Sequence, residues 1–354
     1  MDIYIAMIIC TVSLALCMPY SYKKGDLCLY SNKLLVFLPP FFILALRHGV
    51  GRDYFWTYVP IFKQLAKSKN YEGVEFGYIL LNKIILIFTE NYYWLFIITA
   101  LIFCFFMFKS IFEQSKYRAI STYIFLTAGL YFYSMNVMRQ SMGFAIFLYS
   151  LKYIRTKNLK KYVFYILIAT SIHKSSLVYL PIYFIRNVKI DYKKFIFISL
   201  SIILSKNIIF NFLGMILYNT KYYNYISGFY ADPTKSMISP IINFLIICIF
   251  LLFYKVKSDD IEYKLYLNIH IVAYLISLLL GTVPLISRVF IAFYHINILS
   301  IPYLISLIKG KRSKELATLF VFIFFGTIFI YSIGIKNGNE VLPYKTIFSV
   351  MGEY

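Results

Sequence analysis

The feature that most constrains this chain is a succession of long apolar runs separated by short, mostly basic breaks. The runs cover residues 3–20, 33–46, 92–108, 118–135, 141–154, 161–172, 175–187, 193–210, 237–254, 265–281, 289–308 and 316–334. A water-soluble domain has no way to cover that much continuous apolar surface. A bilayer does, because a helix satisfies its own backbone while its side chains face lipid. The pattern predicts an all-α, polytopic transmembrane bundle of about 12 spans, organised as a single integral membrane domain over 1–354. Several runs fall short of the roughly 20 residues that a perpendicular span requires, which calls for tilted, thin or re-entrant segments.

Sidedness follows from the basic breaks. Clusters occur at Lys23/Lys24/Lys33, Lys109/Lys116/Arg118, Lys152/Arg155/Lys157/Lys160/Lys161, Arg186/Lys189/Lys193/Lys194, Lys255/Lys257/Lys264 and Lys309/Lys311/Arg312/Lys314. Placing all six on the cytoplasmic side puts both termini outside. It leaves 47–91, 136–140, 173–174, 211–236, 282–288 and 335–354 facing outward. Residues 76–90, FGYILLNKIILIFTE, are apolar enough to span, but a span there would invert everything after it. With Asn82 and Lys83 at its middle, this stretch reads as a re-entrant or interfacial outer helix.

Composition agrees: 60% of the residues are hydrophobic and only 14% are charged. The net charge of +21 is accounted for by loops facing anionic lipid, and no basic stretch continues into a soluble nucleic-acid-binding domain. Cys10, Cys17, Cys28, Cys104 and Cys248 show no metal-ligand spacing and no disulfide framework. The N-terminal run lacks a basic leader region and a cleavage site, so it reads as a retained first span.

The informative residues are charges on the outer side. Arg47, Arg52, Arg139 and Arg288 sit at or near outer ends of spans, where a cation is costly unless it holds something anionic. In Arg47-His48-Gly49-Val50-Gly51-Arg52-Asp53-Tyr54, closing with Tyr58, two glycines permit a tight backbone whose amides can face an anion. The flanking guanidiniums suit bidentate phosphate binding. Asn136-Val137-Met138-Arg139-Gln140-Ser141 is a polar knot between two spans, and no acid lies near Arg139 in sequence. Ser171-Ile172-His173-Lys174-Ser175-Ser176 splits an apolar run and offers an imidazole for proton transfer. His270 and His295 lie inside spans and read as structural. A fourth cluster, Gly281 to Arg288, ends in an arginine, and Asn337 to Lys345 forms an outer tail with turn chemistry.

Four arginines, a histidine and an aspartate on one face suit a lipid-borne anion such as a phospholipid or polyprenyl diphosphate. There is no HExxH, DxD or P-loop, so the site calls for no metal, nucleotide or other cofactor.

The strings RHGVGRDYFWTY, EFGYILLN, MNVMRQSMGFAI, KKYVFYILIATSIHKSSLVYLPIY, LISR and VLPYK, in that order, resemble the EpsG family of Wzy-type polysaccharide polymerases. The resemblance implies a GT-C-like glycosyltransferase of the bacterial cytoplasmic membrane, acting at its outer face in O-antigen, capsule or exopolysaccharide synthesis. Donor and acceptor would be undecaprenyl-diphosphate-linked oligosaccharides, and a chain-length regulator and a flippase are possible partners. The matching positions are Arg47, Gly51, Asp53, Tyr54, Arg139, Gln140, His173 and Arg288; Arg52 departs from the family pattern. Arg47, Arg139 and Arg288 are expected to hold the diphosphate, with His173 or Asp53 as the base. A flippase of lipid-linked sugars is the rival reading, although no internal two-fold repeat supports it. A membrane acyltransferase would normally need its histidine on the cytoplasmic side.

Overall fold

The computed structural model describes residues 1–18, 27–67, 71, 73–218, 223, 238–280 and 292–351. Among them the secondary structure is helical throughout, with one isolated β-bridge and no strand. The described chain forms two compact units, Met1–Tyr179 with Asn297–Tyr354, and Leu180–Ile296. No linker or change of composition marks that division in the sequence.

The first unit holds α1 (Asp2–Leu16), α2 (Leu27–Ala45), a π-helical turn (Tyr54–Tyr58) leading into α3 (Val59–Ala66), α4 (Phe76–Phe88) and α5 (Tyr93–Gln114). There follow α6 (Arg118–Thr127), the short α7 (Leu130–Tyr133), α8 (Met138–Arg155) and α9 (Leu159–Ile172), with a 3-10 turn at Lys174–Tyr179. After the second unit come α15 (Asn297–Leu307), α16 (Lys311–Phe329) and the terminal α17 (Ile347–Met351). The second unit contains α10 (Ile182–Ile185), α11 (Tyr192–Leu217), α12 (Ile238–Leu252), α13 (Tyr254–Lys257) and α14 (Ile261–Leu280).

At the centre of the first unit lies α8, packed against α5 and α9. Every residue from Gln140 to Leu151 is buried, as expected of a helix apolar on all sides. Its small residues let neighbours approach closely: a Cβ at Gly143 would lie 2.3 Å from Ser176 Oγ.

In the second unit, Asn243 and His270 pair side chain to side chain at 2.6 Å, and Asn243 also donates to the His270 carbonyl at 2.8 Å. His270 is thus a structural residue held by Asn243. Asn268 donates to the carbonyls of Ile185 and Val188 at 2.6 and 2.9 Å, tying α14 to the turn after α10.

Among the described residues, two helices combine membrane length with high hydropathy, Tyr93–Gln114 and Lys311–Ile335. The other apolar stretches give shorter helices or more polar ones, so helix length by itself supports two of the about 12 expected spans. The reasons are local. The run at 118–135 breaks at Gly129, which adopts φ +97°. The run at 175–187 makes no continuous helix but a 3-10 turn and one short helical turn, divided at Pro181. At 13 residues, α4 is about 20 Å long, too short to cross roughly 30 Å of hydrocarbon upright.

Polar groups gather at the two ends of α8. At its C-terminal end Lys152 Nζ meets Glu113 Oε2 at 2.6 Å, and Arg155 donates to Gln114 Oε1 at 2.6 Å. Lys161 lies 5.8 Å from the Tyr153 ring. Nearby in the chain, Lys116 lies over Tyr303 and Lys314 over Tyr117, each at 5.9 Å. Three of the basic clusters thus draw on the same group of helix ends. The N-terminal end of α8 carries the other set of polar residues.

Candidate functional site

Three of the sequence-derived clusters meet at the N-terminal end of α8. The first is fastened to the second through Asn136. The Asp53 amide donates to Asn136 Oδ1 at 3.4 Å, and the Tyr58 hydroxyl donates to the Asn136 carbonyl at 2.6 Å. The same hydroxyl receives the Met138 amide at 2.7 Å, satisfying one of the free N–H groups that begin α8. Burial, with Asp53, pushes the Tyr58 phenol up; the charges of Arg139 and Arg47 act on it in the opposite sense. Gly51 makes this approach possible: it adopts φ +91°, and a Cβ there would lie 2.7 Å from Asn136 Oδ1 and 3.0 Å from the Met135 carbonyl.

The C-terminal tail lies across the same loop. Asn136 Nδ2 donates to the Asn339 carbonyl at 2.7 Å, Gly51 N to the Glu340 carbonyl at 3.1 Å, and His48 N to the Lys345 carbonyl at 2.9 Å. Arg47 forms an antiparallel bridge with Thr346. The Tyr4 hydroxyl adds a bond to the Val341 carbonyl at 2.8 Å, bringing in the N-terminal helix.

The third cluster joins through Glu75, a residue to which no sequence motif assigns a role. Glu75 occupies the position before α4 and does not cap its own helix. Its side chain instead reaches across to two others. One carboxylate oxygen, Oε2, pairs with Arg139 Nη1 on α8. The other, Oε1, accepts the Lys174 amide at 3.1 Å and lies 3.3 Å from His173 Nδ1, close enough for an ion pair but not aligned as a hydrogen bond. Burial alone would raise this carboxyl; the His173 ring, the Lys174 amide and Arg139 together hold it down at about 2. A glycine again sets the spacing: a Cβ at Gly77 would sit 2.4 Å from Ser171 Oγ and 2.7 Å from its carbonyl oxygen. Only glycine lets α4 lie this close to the end of α9, which carries His173 to Glu75.

The predicted residues differ in how they are placed. Arg139 keeps 19% of its side chain exposed and lies 5.5 Å over the Tyr78 ring. His173 is half-buried, Asp53 is half-buried and Arg52 is exposed. Gln140 is buried and accepts from the Tyr133 hydroxyl at 3.4 Å. Tyr54 is enclosed and stacked on Phe96, with ring centres 3.9 Å apart. Arg47 is only 1% exposed; it donates to the Met135 carbonyl at 3.3 Å and lies 5.2 Å from the Phe96 ring. Next to it, His48 Nδ1 is 3.0 Å from the Tyr93 hydroxyl, and burial and Lys345 hold this imidazole below its ordinary range. Arg288 lies outside the described residues. Among the described residues no group of three or more His, Cys, Asp or Glu side chains is arranged to hold a metal ion.

Arg139 therefore has an acidic partner, but one 64 residues away in the chain. The only sequence signal for it was the position of Glu75 at the head of EFGYILLN.

Apolar helices of membrane length and a charged cluster at one end of a buried helix define the class: a helical membrane protein with a polar site at a bundle end. The EpsG family model matches residues 33–346, and the chain belongs to that family. No curated protein and no solved structure matches it.

Proposed function

We propose that the protein is a polysaccharide polymerase of the bacterial cytoplasmic membrane. It would transfer a growing glycan from undecaprenyl diphosphate to the acceptor sugar of another lipid-linked repeat unit. Membership of the EpsG family supports the polymerase class. The observation that carries the site is the meeting of Arg139 and His173 at one carboxylate, Glu75.

In this reading Arg139, at the N-terminal end of an 18-residue helix, takes the donor diphosphate. Its guanidinium and the helix end both favour the negative charge that grows on the leaving group. Arg288 remains part of the donor site as expected from sequence, while the enclosed Arg47 supports that site from behind rather than by direct contact, with Tyr54 and Gln140 shaping it. The geometry favours His173 over Asp53 as base. A carboxylate 3.3 Å from Nδ1, an ion-pair distance without hydrogen-bond alignment, favours a proton on that nitrogen and leaves the Nε2 lone pair for the acceptor hydroxyl, a tautomer inferred from the contact. The hydroxyl proton passes to Nε2 as the acceptor oxygen bonds the anomeric carbon. The bond from that carbon to the phosphate oxygen breaks with its electron pair on the diphosphate, which inverts the anomeric centre. The site faces outward, opposite the lysine-rich helix ends, in a GT-C-like bundle with both termini outside.

The test is polymerisation of a defined undecaprenyl-diphosphate-linked repeat unit by the purified protein. Long chains should form, survive a chelator, and vanish in Arg139→Ala while single units persist. Wild-type chain lengths in Arg139→Ala would overturn the assignment. Lipid-linked units that cross the bilayer without being joined would point to the flippase.

A further inference from the structure

Glu75 spends its two oxygens on different partners, and the two halves differ in rigidity. On the Oε1 side, the Lys174 backbone amide fixes the carboxylate at 3.1 Å beside His173. On the Oε2 side stands the terminal nitrogen of Arg139, a long side chain that retains 19% exposure against 9% for Glu75. The arginine can therefore swing away while the carboxylate keeps its place. A diphosphate offers a guanidinium more charge and a better bidentate match than one carboxylate oxygen can.

We infer that Glu75 is an exchangeable counter-ion: it neutralises Arg139 while the site is empty, releases it to the donor diphosphate, and stays on His173 to set which ring nitrogen faces the acceptor. This rests on the polymerase reading above and adds to it a positioning residue that acts through two others. Three observations support it. The carboxylate stands at the start of α4 yet is withheld from capping that helix. It is held ionised at about 2 by the groups around it, burial notwithstanding. And Arg139 would be a half-buried cation at the positive end of α8 without it, a combination that needs an anion when no substrate is present. During transfer Glu75 takes no proton: the Nδ1 proton stays on His173, and only Nε2 receives the acceptor proton.

The exchange predicts that binding and turnover separate. In the purified full-length protein, Glu75→Gln should bind undecaprenyl diphosphate as tightly as wild type or up to about tenfold more tightly, because a competitor for Arg139 is gone. Its kcat for a defined lipid-linked repeat unit should fall at least about tenfold, because nothing then fixes the imidazole tautomer. Glu75→Asp, which keeps the charge on a shorter arm, should recover part of kcat with affinity unchanged. It also provides the test should Glu75→Gln fail to fold. Loss of undecaprenyl diphosphate affinity in parallel with kcat, or wild-type kcat in Glu75→Gln, overturns the exchange and leaves the polymerase intact. A wild-type protein that binds undecaprenyl diphosphate but joins no units sinks the polymerase reading, and the exchange with it.

Discussion

Replacing Arg139 with alanine strips the guanidinium from a carboxylate whose side chain is only 9% exposed. Breaking a fully buried ion pair by removing one partner costs about 3–5 kcal/mol, while an exposed pair is worth about 0–1 kcal/mol. This pair lies between the two, at 19% and 9% exposure, so Arg139→Ala should destabilise the fold by about 2–3 kcal/mol. Glu75→Gln should cost less, about 1 kcal/mol, because Arg139 keeps the Tyr78 ring and access to solvent. Once Glu75 is neutral, losing the arginine no longer leaves a buried charge behind. The double variant should therefore be more stable than the sum of the singles predicts, by about 1–2 kcal/mol. Reversible unfolding of the purified protein in detergent measures all four corners of the cycle. Single costs that add to within about 0.5 kcal/mol would refute the pair as an energetic unit. The cycle is independent of any activity, so it tests the geometry alone.

Acid should weaken the same contact. The Glu75 carboxyl is lowered in the fold from its ordinary 4.5 to about 2, so its contribution is full above pH 4.5 and is lost as the pH falls toward 2. After allowance for solvent screening the loss should amount to about 1 kcal/mol, in line with the cost of Glu75→Gln, and acid titration of stability should show it in wild type and not in Glu75→Gln. Gly51→Ala forces a side chain to φ +91° and against Asn136 and Met135, whereas Gly73→Ala at φ +80° meets nothing within 4 Å. Unfolding should therefore show the first costing more than the second by at least about 1 kcal/mol, and equal costs would contradict the packing. Gly77→Ala presses on the Ser171 carbonyl at 2.7 Å and should push α4 off α9. In the polymerisation assay its kcat should drop by about tenfold or more, since small displacements at a reacting centre cost that much; an unchanged kcat would count against Glu75 and His173 acting together. Tyr58→Phe removes a hydroxyl bonded at 2.6 and 2.7 Å and leaves the Met138 amide without that partner, for a loss of about 1–2 kcal/mol in the same unfolding assay.

The helical class was legible because apolar runs with basic breaks leave few alternatives. The convergence of the first three clusters was legible as well, because each interrupts an apolar run with polar residues at what proves to be the same end of α8. The C-terminal turn around Asn337 to Lys345 could be read as an outer tail, but not as a strap over Gly51 and Arg47. Those bonds join backbone groups some 300 residues apart and carry no side-chain signature. Glu75 escaped for a related reason. An acid that opens an apolar helix reads as a polar boundary, and its partners lie 64 and 99 positions further on. Hydropathy marks where an apolar run lies but not where its helix breaks: the run 175–187 is divided at Pro181 into a 3-10 turn and a single helical turn.

Burial also separates arginines that the sequence made equivalent. Arg47 and Arg139 both stand at the ends of apolar runs, and both were expected to grip the diphosphate directly. Arg139 is partly exposed beside a carboxylate that can be displaced, whereas Arg47 is sealed among Phe96, Met138 and the carbonyls of Leu44 and Met135. An enclosed guanidinium reaches a lipid diphosphate only if the helices around it part. What it does reach is the carbonyl of Met135, next to Asn136, and it sits where the Arg47–Thr346 bridge pins the tail. Of these two, direct contact with the leaving group therefore falls to Arg139 in the proposed mechanism. Arg47 holds the first loop, the tail and the start of α8 together, and lends its positive charge through the low-dielectric interior, where it is poorly screened.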